Sequence, residues 1–291
     1  MDGLLLLDKP GQMTSFDVVR KVRRLLGISK LGHTGTLDPL ATGLLVLCLG
    51  EACKLVPFLT ELDKAYCTDI ALGVETDTHD AQGKVLQTRP VPPLTPTLLE
   101  THLSAFRGRF LQVPPMHSAI KQQGKKLYEL ARQGLEVERP ARPVVVHRLQ
   151  LKALAGDVAT LEVHCSKGFF VRSLAHELGK RLGCGAHVQH LRRLSVGPFG
   201  LGKAVSLSSL EGEGALGIQS RLVSVHEALP WVPAHVVRGE EARKVQHGAR
   251  FELQAPPGRL RLVDEEGHLL ALAEVFAEKP LRYLRVFPVP G

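Results

Sequence analysis

A single carboxylate stands in the stretch GHTGTLDPLATG (residues 32–43), whose other members are glycine, proline, histidine, hydroxyl and apolar residues. Asp38 directly precedes Pro39, and a proline biases the residue before it toward an extended backbone. The glycines of the stretch permit turns that other residues resist. Two interpretations are open: a tight surface turn whose aspartate bonds its own backbone, or a nucleophile held in place. The stretch alone favours the plain turn.

Three further segments are polar or conformationally special where their flanks are apolar. They are KAYCTDIALGVETDTHDAQG (64–83), QVPPMHSAIKQQGKKLYELARQG (112–134) and CSKGFFVRS (165–173). Taken singly, their residues have ordinary interpretations. Tyr66 is typical of a half-buried strand, and Arg172 is typical of a surface or structural ion pair.

Two glycine-rich stretches do not indicate nucleotide binding. GEGALG (212–217) fits G-x-G-x-x-G but follows SLSSLE rather than an apolar strand, so it lacks the required strand–turn–helix context. GPFGLGKA (197–204) has Ala204 where a phosphate-binding loop needs the hydroxyl that binds magnesium.

Neither candidate metal cluster fits a known ligand pattern. Cys184, His187 and His190 stand three residues apart, but no fourth ligand lies at ordinary spacing, and such steps on one helix face also arise by chance. The acids of ETDTHDAQG (75–83) fail the calcium-loop template because no glutamate follows at the required position. We predict a polar turn there and no metal site.

Composition restricts the class of protein and of partner. The 291 residues suffice for one large domain and one small one. Of the net charge of +8, almost all lies in residues 1–229, because residues 230–291 hold nine Lys/Arg against eight Asp/Glu. Such a basic excess fits a polyanion, although many basic proteins bind none.

The cysteine content, the N-terminal segment and the lengths of the apolar runs predict a cytoplasmic protein. Five cysteines are an odd number without disulfide-framework spacing, which favours reduced thiols. The N-terminal MDGLLLLDKP lacks the features of a signal peptide. No apolar run reaches 18 residues, so we expect no membrane span.

The chemistry-bearing segments alternate with predicted strands and helices in no regular βαβ order, which indicates an α+β fold. Strands are predicted at 4–8, 44–50 and 66–74, and VVVHRLQLKAL and ATLEVHCSKG are predicted to pair. A helix capped by Ser15 should end at Gly27, and further helices are predicted near 97–107, 125–134 and 170–183.

The sequence changes character near residue 230. From Trp231 onward, short apolar segments alternate with the turn signals PPG, EEG and EKP, which predicts a small β-rich module. We therefore predict two domains, 1–229 and 230–291.

Taken together in this order and spacing, the four polar segments closely resemble the TruB family, the bacterial tRNA pseudouridine-55 synthases. The resemblance also takes in LLLLDKP, MTSFDVVRKVRR and GCGAHVQHLRRL, and so covers residues 4 to about 199. It implies a pseudouridine synthase fold, with a mixed, largely antiparallel central sheet flanked by helices. The C-terminal segment resembles the small RNA-binding PUA-like module of these enzymes.

The resemblance implies a cofactor-free isomerase acting on uridine 55 in the T-arm stem-loop of tRNA. The enzyme would flip the base out, break the N1–C1′ bond, turn the uracil and rejoin it through C5. The resemblance implies three catalytic residues: Asp38 as the catalytic aspartate, Arg172 as its partner, and Tyr66. This tyrosine would stack on the base and is a proposed proton acceptor. An arginine beside a carboxylate favours its charged form. The implied substrate-binding residues are His33, Phe170, Leu191, Lys9 and Lys167.

One residue departs from the family pattern. The family usually has a tyrosine at the position of Phe170, so any hydrogen bond made by that hydroxyl does not carry over. The ring can still pack against uracil.

Several alternatives stay open. A non-catalytic tRNA-binding or folding factor of the same fold is the main one, and a carboxylate glycosidase acting on free nucleosides is disfavoured by the lack of a second well-placed acid. The carbon that Asp38 attacks, C6 or C1′, is also open. We expect a monomer without a small-molecule cofactor. The candidate phosphate contacts are Arg20, Lys21, Lys121, Lys125, Lys126, Lys167, Arg192 and Arg193.

Overall fold

The computed structural model describes residues 1–122, 124–277 and 279–288, with residues 215 and 216 described by their backbone only. The α-helices in these ranges are Ser15–Leu26 (α1), Val56–Thr60 (α2), Pro96–Ser104 (α3), Leu127–Arg132 (α4), Val171–Leu182 (α5), Leu207–Gln219 (α6) and Gly239–Gln246 (α7). In this described part of the chain, no helix is long and apolar enough to cross a membrane.

The strands alternate irregularly with these helices, as an α+β fold requires. They are Gly3–Lys9 (β1), Leu31–His33 (β2), Thr42–Leu49 (β3), Lys64–Leu72 (β4), Val74–Thr76 (β5), Val85–Thr88 (β6), Gly108–Gln112 (β7), Lys121–Gln122 (β8), Lys125–Lys126 (β9), Arg142–Ala155 (β10), Val158–Cys165 (β11), Ala186–Val196 (β12), Phe199–Gly200 (β13), Val205–Ser206 (β14), Ala234–Val236 (β15), Gly258–Val263 (β16), Leu269–Phe276 (β17) and Lys279–Val286 (β18).

The central sheet has ten strands, eight of them in the order β14-β1-β3-β12-β4-β11-β10-β7. The pairs β1–β14 and β3–β12 are parallel, whereas β1–β3, β4–β12, β4–β11, β10–β11 and β7–β10 are antiparallel. The predicted mixed, largely antiparallel sheet is confirmed. Alternate side chains of β1 and β3 enter two different hydrophobic clusters on opposite faces. Burial on both faces explains why these two strands are continuous apolar runs.

Strand β12 brings distant parts of the sequence together. It pairs with β3 at Arg193 and Gly43 and with β4 at Arg193 and Tyr66. Gly43 has φ +97°, and a Cβ built there would lie 2.3 Å from the carbonyl oxygen of Arg193. Only glycine therefore allows β3 to approach β12 this closely.

Helix α1 begins one residue away from the predicted cap. Thr14, not Ser15, is the N-cap, and it forms a capping box in which its hydroxyl accepts from the Asp17 amide while the Asp17 carboxylate accepts from the Thr14 amide. The prediction of Ser15 was wrong because Ser15 uses its hydroxyl elsewhere, on the loop that carries Asp38. The predicted end at Gly27 is confirmed by its left-handed φ of 63°.

The C-terminal part is β-rich, as predicted. Its sheet has the order β15-β16-β17-β18, and the residues after 288 lie outside the described ones. Helix α7 was not predicted, because GEEARKVQ offers only Ala242 and Val245 as apolar positions. Val263, Leu272 and Phe287 pack in one cluster with Leu4 and Leu44 of the central sheet. The division at residue 230 stays a prediction.

Candidate active site

A cavity of about 310 Å³ lies beside Asp38, where segments that are far apart in the sequence meet. Tyr66 on β4 and Leu191 on β12 form part of its wall, because these two strands are neighbours in the sheet. Phe170 and Arg172, at the start of α5, line it as well. Lys167 also lines the cavity, so the structure brings together the three predicted catalytic residues and three of the five predicted substrate-binding ones.

Asp38 and Arg172 form a two-point ion pair. The Arg172 Nη2 donates to Asp38 Oδ1 at 3.0 Å, and the distance from Arg172 Nε to Asp38 Oδ2 is 2.9 Å. The Arg172 side chain is only 5% exposed, whereas that of Asp38 is 33% exposed. The guanidinium therefore holds the carboxylate from the protein side and leaves part of it open to the cavity.

Arg172 is itself fixed by two other segments. Its Nη1 donates to the carbonyl of Thr78 at 3.1 Å, and its Nη2 donates to the carbonyl of His117 at 2.7 Å. The carboxylate of Asp80 is buried and lies 3.7 Å from Arg172 Nε. The Asp80 carboxylate also accepts from the Thr78 hydroxyl at 2.7 Å. Sequence reasoning missed Asp80, because composition indicated only a polar turn and gave no sign of its burial.

The loop that carries Asp38 is anchored on both sides of this residue. The Ser15 hydroxyl accepts from the Leu37 amide at 2.8 Å and donates to the Leu37 carbonyl at 3.1 Å. On the other side, the Ala41 amide donates to the Asp38 carbonyl at 3.0 Å. Fixed loop ends of this kind preorganise a catalytic group.

Burial raises the pKa of Asp38 above that of a free aspartate, and the nearby Asp80 adds to the rise. The Arg172 guanidinium, through its charge and its hydrogen bond, and the Lys9 ammonium oppose the rise. Arg172 thus favours the charged form, as the sequence suggested, but burial outweighs it. Asp38 consequently takes up a proton at a higher pH than an exposed aspartate does.

Tyr66 and Phe170 are held in different ways. Burial raises the pKa of the Tyr66 phenol, and Arg193 opposes the rise, so Tyr66 is neutral at pH 7. The Phe170 amide donates to Gln112 Oε1 at 2.8 Å, and its carbonyl accepts from Gln112 Nε2 at 3.1 Å. The side-chain amide of Gln112 thereby fixes the backbone from which the Phe170 ring projects.

Two predicted substrate-binding residues, Lys9 and His33, do not line this cavity. Lys9 is fully buried, and its ammonium donates to the carbonyls of Pro10, Met13 and Pro39. It therefore holds the Asp38 loop in place instead of meeting solvent.

His33 does not line the cavity described above, and its Nδ1 accepts from the Gly35 amide at 3.2 Å. Burial lowers the pKa of His33, and the charge of Arg193 lowers it further. Lys167 lies on the rim of the cavity and forms an exposed ion pair with Glu61.

Two further cationic residues of the cavity wall were missed or misassigned. Arg193 was predicted as a phosphate contact, but it is buried and donates to the carbonyls of Leu44 at 2.7 Å and Gly35 at 3.1 Å. The two-residue spacing from Leu191 puts it on the same strand face, a signal available in the sequence. Lys64 donates to the carbonyl of Thr60 at 2.7 Å, and burial lowers its pKa to about 8.

Cys184, His187 and His190 do not lie close enough together to share a metal ion. They do not lie on a helix face, because His187 and His190 belong to β12. His187 Nδ1 lies 3.0 Å from the Val74 carbonyl oxygen, and His190 pairs with Asp69 at 3.3 Å. Within the described residues, the group of side chains close enough to share a cation is Asp264, Glu266 and His268, in the turn between β16 and β17.

A larger cavity, of about 810 Å³, lies near the 77–80 turn and is lined by neither Asp38 nor Tyr66. Its wall includes His79 and His176, whose rings stack with centroids 4.0 Å apart. Burial lowers the pKa of both imidazoles, that of His79 to about 3. The smaller cavity holds the carboxylate–guanidinium pair and is the better candidate for chemistry.

Comparisons with known proteins identify the family of the chain. The sequence model of the TruB family pseudouridylate synthase N-terminal domain matches residues 23–171, and that of the tRNA pseudouridylate synthase B C-terminal domain matches residues 172–220. The boundary between these two matches falls at the start of α5. Since β12 lies in the middle of the sheet that the first segment builds, both matches belong to one structural unit.

Curated relatives match nearly the whole chain. The tRNA pseudouridine synthase B of Dechloromonas aromatica (strain RCB) is 47% identical over 274 residues, which are 94% of this chain and 91% of the relative. That of Haemophilus influenzae (strain 86-028NP) is 44% identical over 280 residues, again 94% of this chain and 91% of the relative. Among solved structures, a Cbf5-Nop10-Gar1 complex matches with a TM-score of 0.75 at 22% identity, covering 98% of this chain and 84% of that one, and shows the shared fold. The chain belongs to the TruB family of pseudouridylate synthases.

Proposed function

We propose that this protein isomerises uridine 55 in the T arm of tRNA to pseudouridine. The observation that carries the proposal is the Asp38–Arg172 ion pair, which opens onto a cavity walled by Tyr66 and Leu191. The relatives' names support tRNA as the substrate. Position 55 and the T arm rest on the resemblance of the motifs to the family.

The reaction needs no oxidant or reductant. The N1–C1′ bond of uridine breaks, a C5–C1′ bond forms, the proton at C5 leaves and N1 gains a proton. Asp38 serves this chemistry either by covalent attack on C6 or C1′ or by stabilising a cationic sugar. Each of these roles needs the ionised carboxylate, which the two contacts from Arg172 stabilise.

The target base must leave its stack to reach Asp38. Extruding a base costs a few kcal/mol, which contacts to the flipped nucleotide and to the RNA backbone must offset. Folded RNA is recognised mainly through phosphates, 2′-hydroxyls and splayed bases. The proposed phosphate contacts of β8 and β9 are Lys121, Lys125 and Lys126, which form a basic hairpin.

Other proposed phosphate contacts are partly neutralised within the protein. Arg20 pairs with Asp17, and Lys21 pairs with Glu211. Arg192 similarly pairs with Asp8. We therefore assign more of the salt-dependent affinity to the β8–β9 hairpin than to helix α1.

Tritium release from tRNA labelled with 5-³H-uridine tests the proposal. The wild-type protein should release tritium from one uridine per tRNA, and Asp38→Ala should bind tRNA but release none above background. Wild-type protein that binds tRNA without releasing tritium would favour a non-catalytic folding factor. Release by Asp38→Ala at the wild-type rate would refute the role of Asp38.

The choice of target and of assembly needs separate measurements. A tRNA in which uridine 55 is replaced by cytidine should release no tritium, whereas an isolated T-arm stem-loop should remain a substrate. Affinity for tRNA should fall steeply as salt rises, since phosphate contacts release counterions. We expect a monomer by light scattering.

A further inference from the structure

Two buried hydroxyl groups in the wall of the catalytic cavity lack a hydrogen-bond partner among the described residues. They belong to Thr34 and Ser118, whose exposed fractions are 1% and 5%. Their backbones are anchored: the Thr34 amide donates to the Val46 carbonyl at 3.1 Å, and the Ser118 carbonyl accepts from the Tyr128 amide at 3.1 Å. Buried polar atoms without a partner are rare in proteins, so each needs an explanation.

The charged side chains of the cavity wall are already engaged by the protein. Arg172 directs its guanidinium to Asp38 and to two backbone carbonyls. Arg193 and Lys64 each donate to two backbone carbonyls. Recognition of a neutral base by hydrogen bonds therefore falls to groups that the protein has not used, and Thr34 and Ser118 provide two of them.

We propose that the hydroxyls of Thr34 and Ser118 donate hydrogen bonds to the two carbonyl oxygens of the flipped uracil. This inference rests on the proposed function. The two side chains come from different segments that both contact the reacting pair: Thr34 stands four residues before Asp38, and Ser118 follows His117, whose carbonyl accepts from Arg172. Both residues line the cavity onto which Asp38 opens.

The chemistry of the reaction suits two such donors. A half-turn of the detached uracil about the axis through N3 and C6 exchanges N1 with C5. The same half-turn exchanges O2 with O4 and leaves N3 in place. Two donors aimed at the carbonyl positions therefore hold the base equally well before the N1–C1′ bond breaks and after the C5–C1′ bond forms.

Hydroxyl groups can turn toward a ligand without a movement of the backbone. Both hydroxyl oxygens are covered by protein in this conformation. A Ser or Thr side chain exposes its hydroxyl by rotating about χ1 alone, and its proton rotates freely toward an acceptor.

A stability measurement separates a binding role from a structural one. Thr34→Val and Ser118→Ala remove hydroxyls without protein partners, so the melting temperature should stay the same or rise. Thr68→Val is the matched control, because the equally buried Thr68 hydroxyl donates to the His190 carbonyl at 2.8 Å. The control should lower the melting temperature. A fall of the same size in Thr34→Val would overturn the proposal, since it would reveal a structural bond.

Single-turnover tritium release then tests the contact itself. Thr34→Val and Ser118→Ala should each slow release about tenfold, whereas Thr34→Ser should restore most of the rate. A wild-type protein that releases no tritium contradicts the proposed function itself. An active wild type with unaffected variants contradicts only the assignment of these two hydroxyls.

Modified substrates identify the partner atoms. A stem-loop RNA with 2-thiouridine or 4-thiouridine at the target position replaces one carbonyl oxygen by sulfur, a weaker acceptor. In RNA binding by proteins that also carry Asp38→Ala, in which the base does not turn, each hydroxyl variant should lose sensitivity to one of the two thio substitutions and keep sensitivity to the other. Equal sensitivity of wild type and variants to both would refute the contact. If the hydroxyl variants lost sensitivity only to 2′-deoxyuridine at the target position, the hydroxyls would contact the ribose and the proposal would be overturned.

Discussion

Replacing Asp80 by asparagine should shift the acid limb of the activity profile to lower pH. Asp80 is one of the causes that raise the pKa of Asp38, and asparagine removes its charge. The amide oxygen of Asn can still accept from the Thr78 hydroxyl and the Gln82 amide, as the Asp80 carboxylate does at 2.7 and 3.0 Å. The 77–80 turn should therefore keep its shape.

The distances to Arg172 set the magnitude of this effect. The Nε of Arg172 lies 2.9 Å from Asp38 Oδ2 and 3.7 Å from Asp80 Oδ2. These two carboxylate oxygens are therefore less than about 7 Å apart. At about 7 Å, two unit charges repel by about 0.6 kcal/mol in water and by about 2.4 kcal/mol at an effective dielectric constant of about 20. Because Asp38 is one-third exposed, we expect the lower end, which is about a threefold change in the ionisation equilibrium.

The assay is single-turnover tritium release between about pH 4.5 and pH 8, with each rate divided by that protein's own plateau. On the acid limb, Asp80→Asn should retain about three times the relative activity of the wild type. Its plateau should fall up to about tenfold, because Arg172 loses a charged neighbour. Asp77→Asn is the control, since this exposed carboxylate bonds the Lys84 amide in the same turn.

The outcomes are distinct. If the plateau rate falls and the acid limb of the pH profile stays at the same pH, Asp80 acts on the geometry of the site only. A limb moved to higher pH would refute the electrostatic reasoning, because loss of a neighbouring negative charge can only favour ionisation of Asp38. Circular dichroism of both variants should match the wild type and so exclude unfolding as the cause.

Three other changes test separate parts of the structure. Burial lowers the pKa of Lys64 to about 8, so between about pH 8 and the ordinary lysine pKa the unfolded chain binds more protons than the folded one. This lysine therefore makes the free energy of unfolding rise with pH in that window. Urea titrations should show a smaller rise for Lys64→Met than for the wild type. Gly43→Ala should lower the free energy of unfolding by more than about 2 kcal/mol in the same titrations, because its Cβ would lie 2.3 Å from the carbonyl oxygen of Arg193. Gly27→Ala is the control: a Cβ there meets open space at a φ of +63°, so the change should cost about 1 kcal/mol. Phe170→Tyr should keep tritium release within about tenfold of the wild type, and a larger loss would show that the pocket no longer accommodates a hydroxyl there.

The local structure could be predicted where its cause is local. The leucine runs of β1 and β3 and the left-handed Gly27 that ends α1 follow from burial and backbone sterics within a few residues. The N-cap of α1 could not be told from sequence. Thr14 and Ser15 are chemically alike, and the contact of Ser15 with Leu37 decided between them.

The site divides in the same way. The resemblance of the four polar segments to the TruB family indicated Asp38, Tyr66 and Arg172 and the fold that carries them. Only the tertiary structure decided that Asp80 is buried beside Arg172 and that Lys9 bonds the loop instead of solvent. Those facts depend on segments that the sheet brings together across long stretches of chain, as with Asp38 and Arg172, which are 134 positions apart. Burial and charge proximity set the protonation of a carboxylate, and neither is a property of residue order alone.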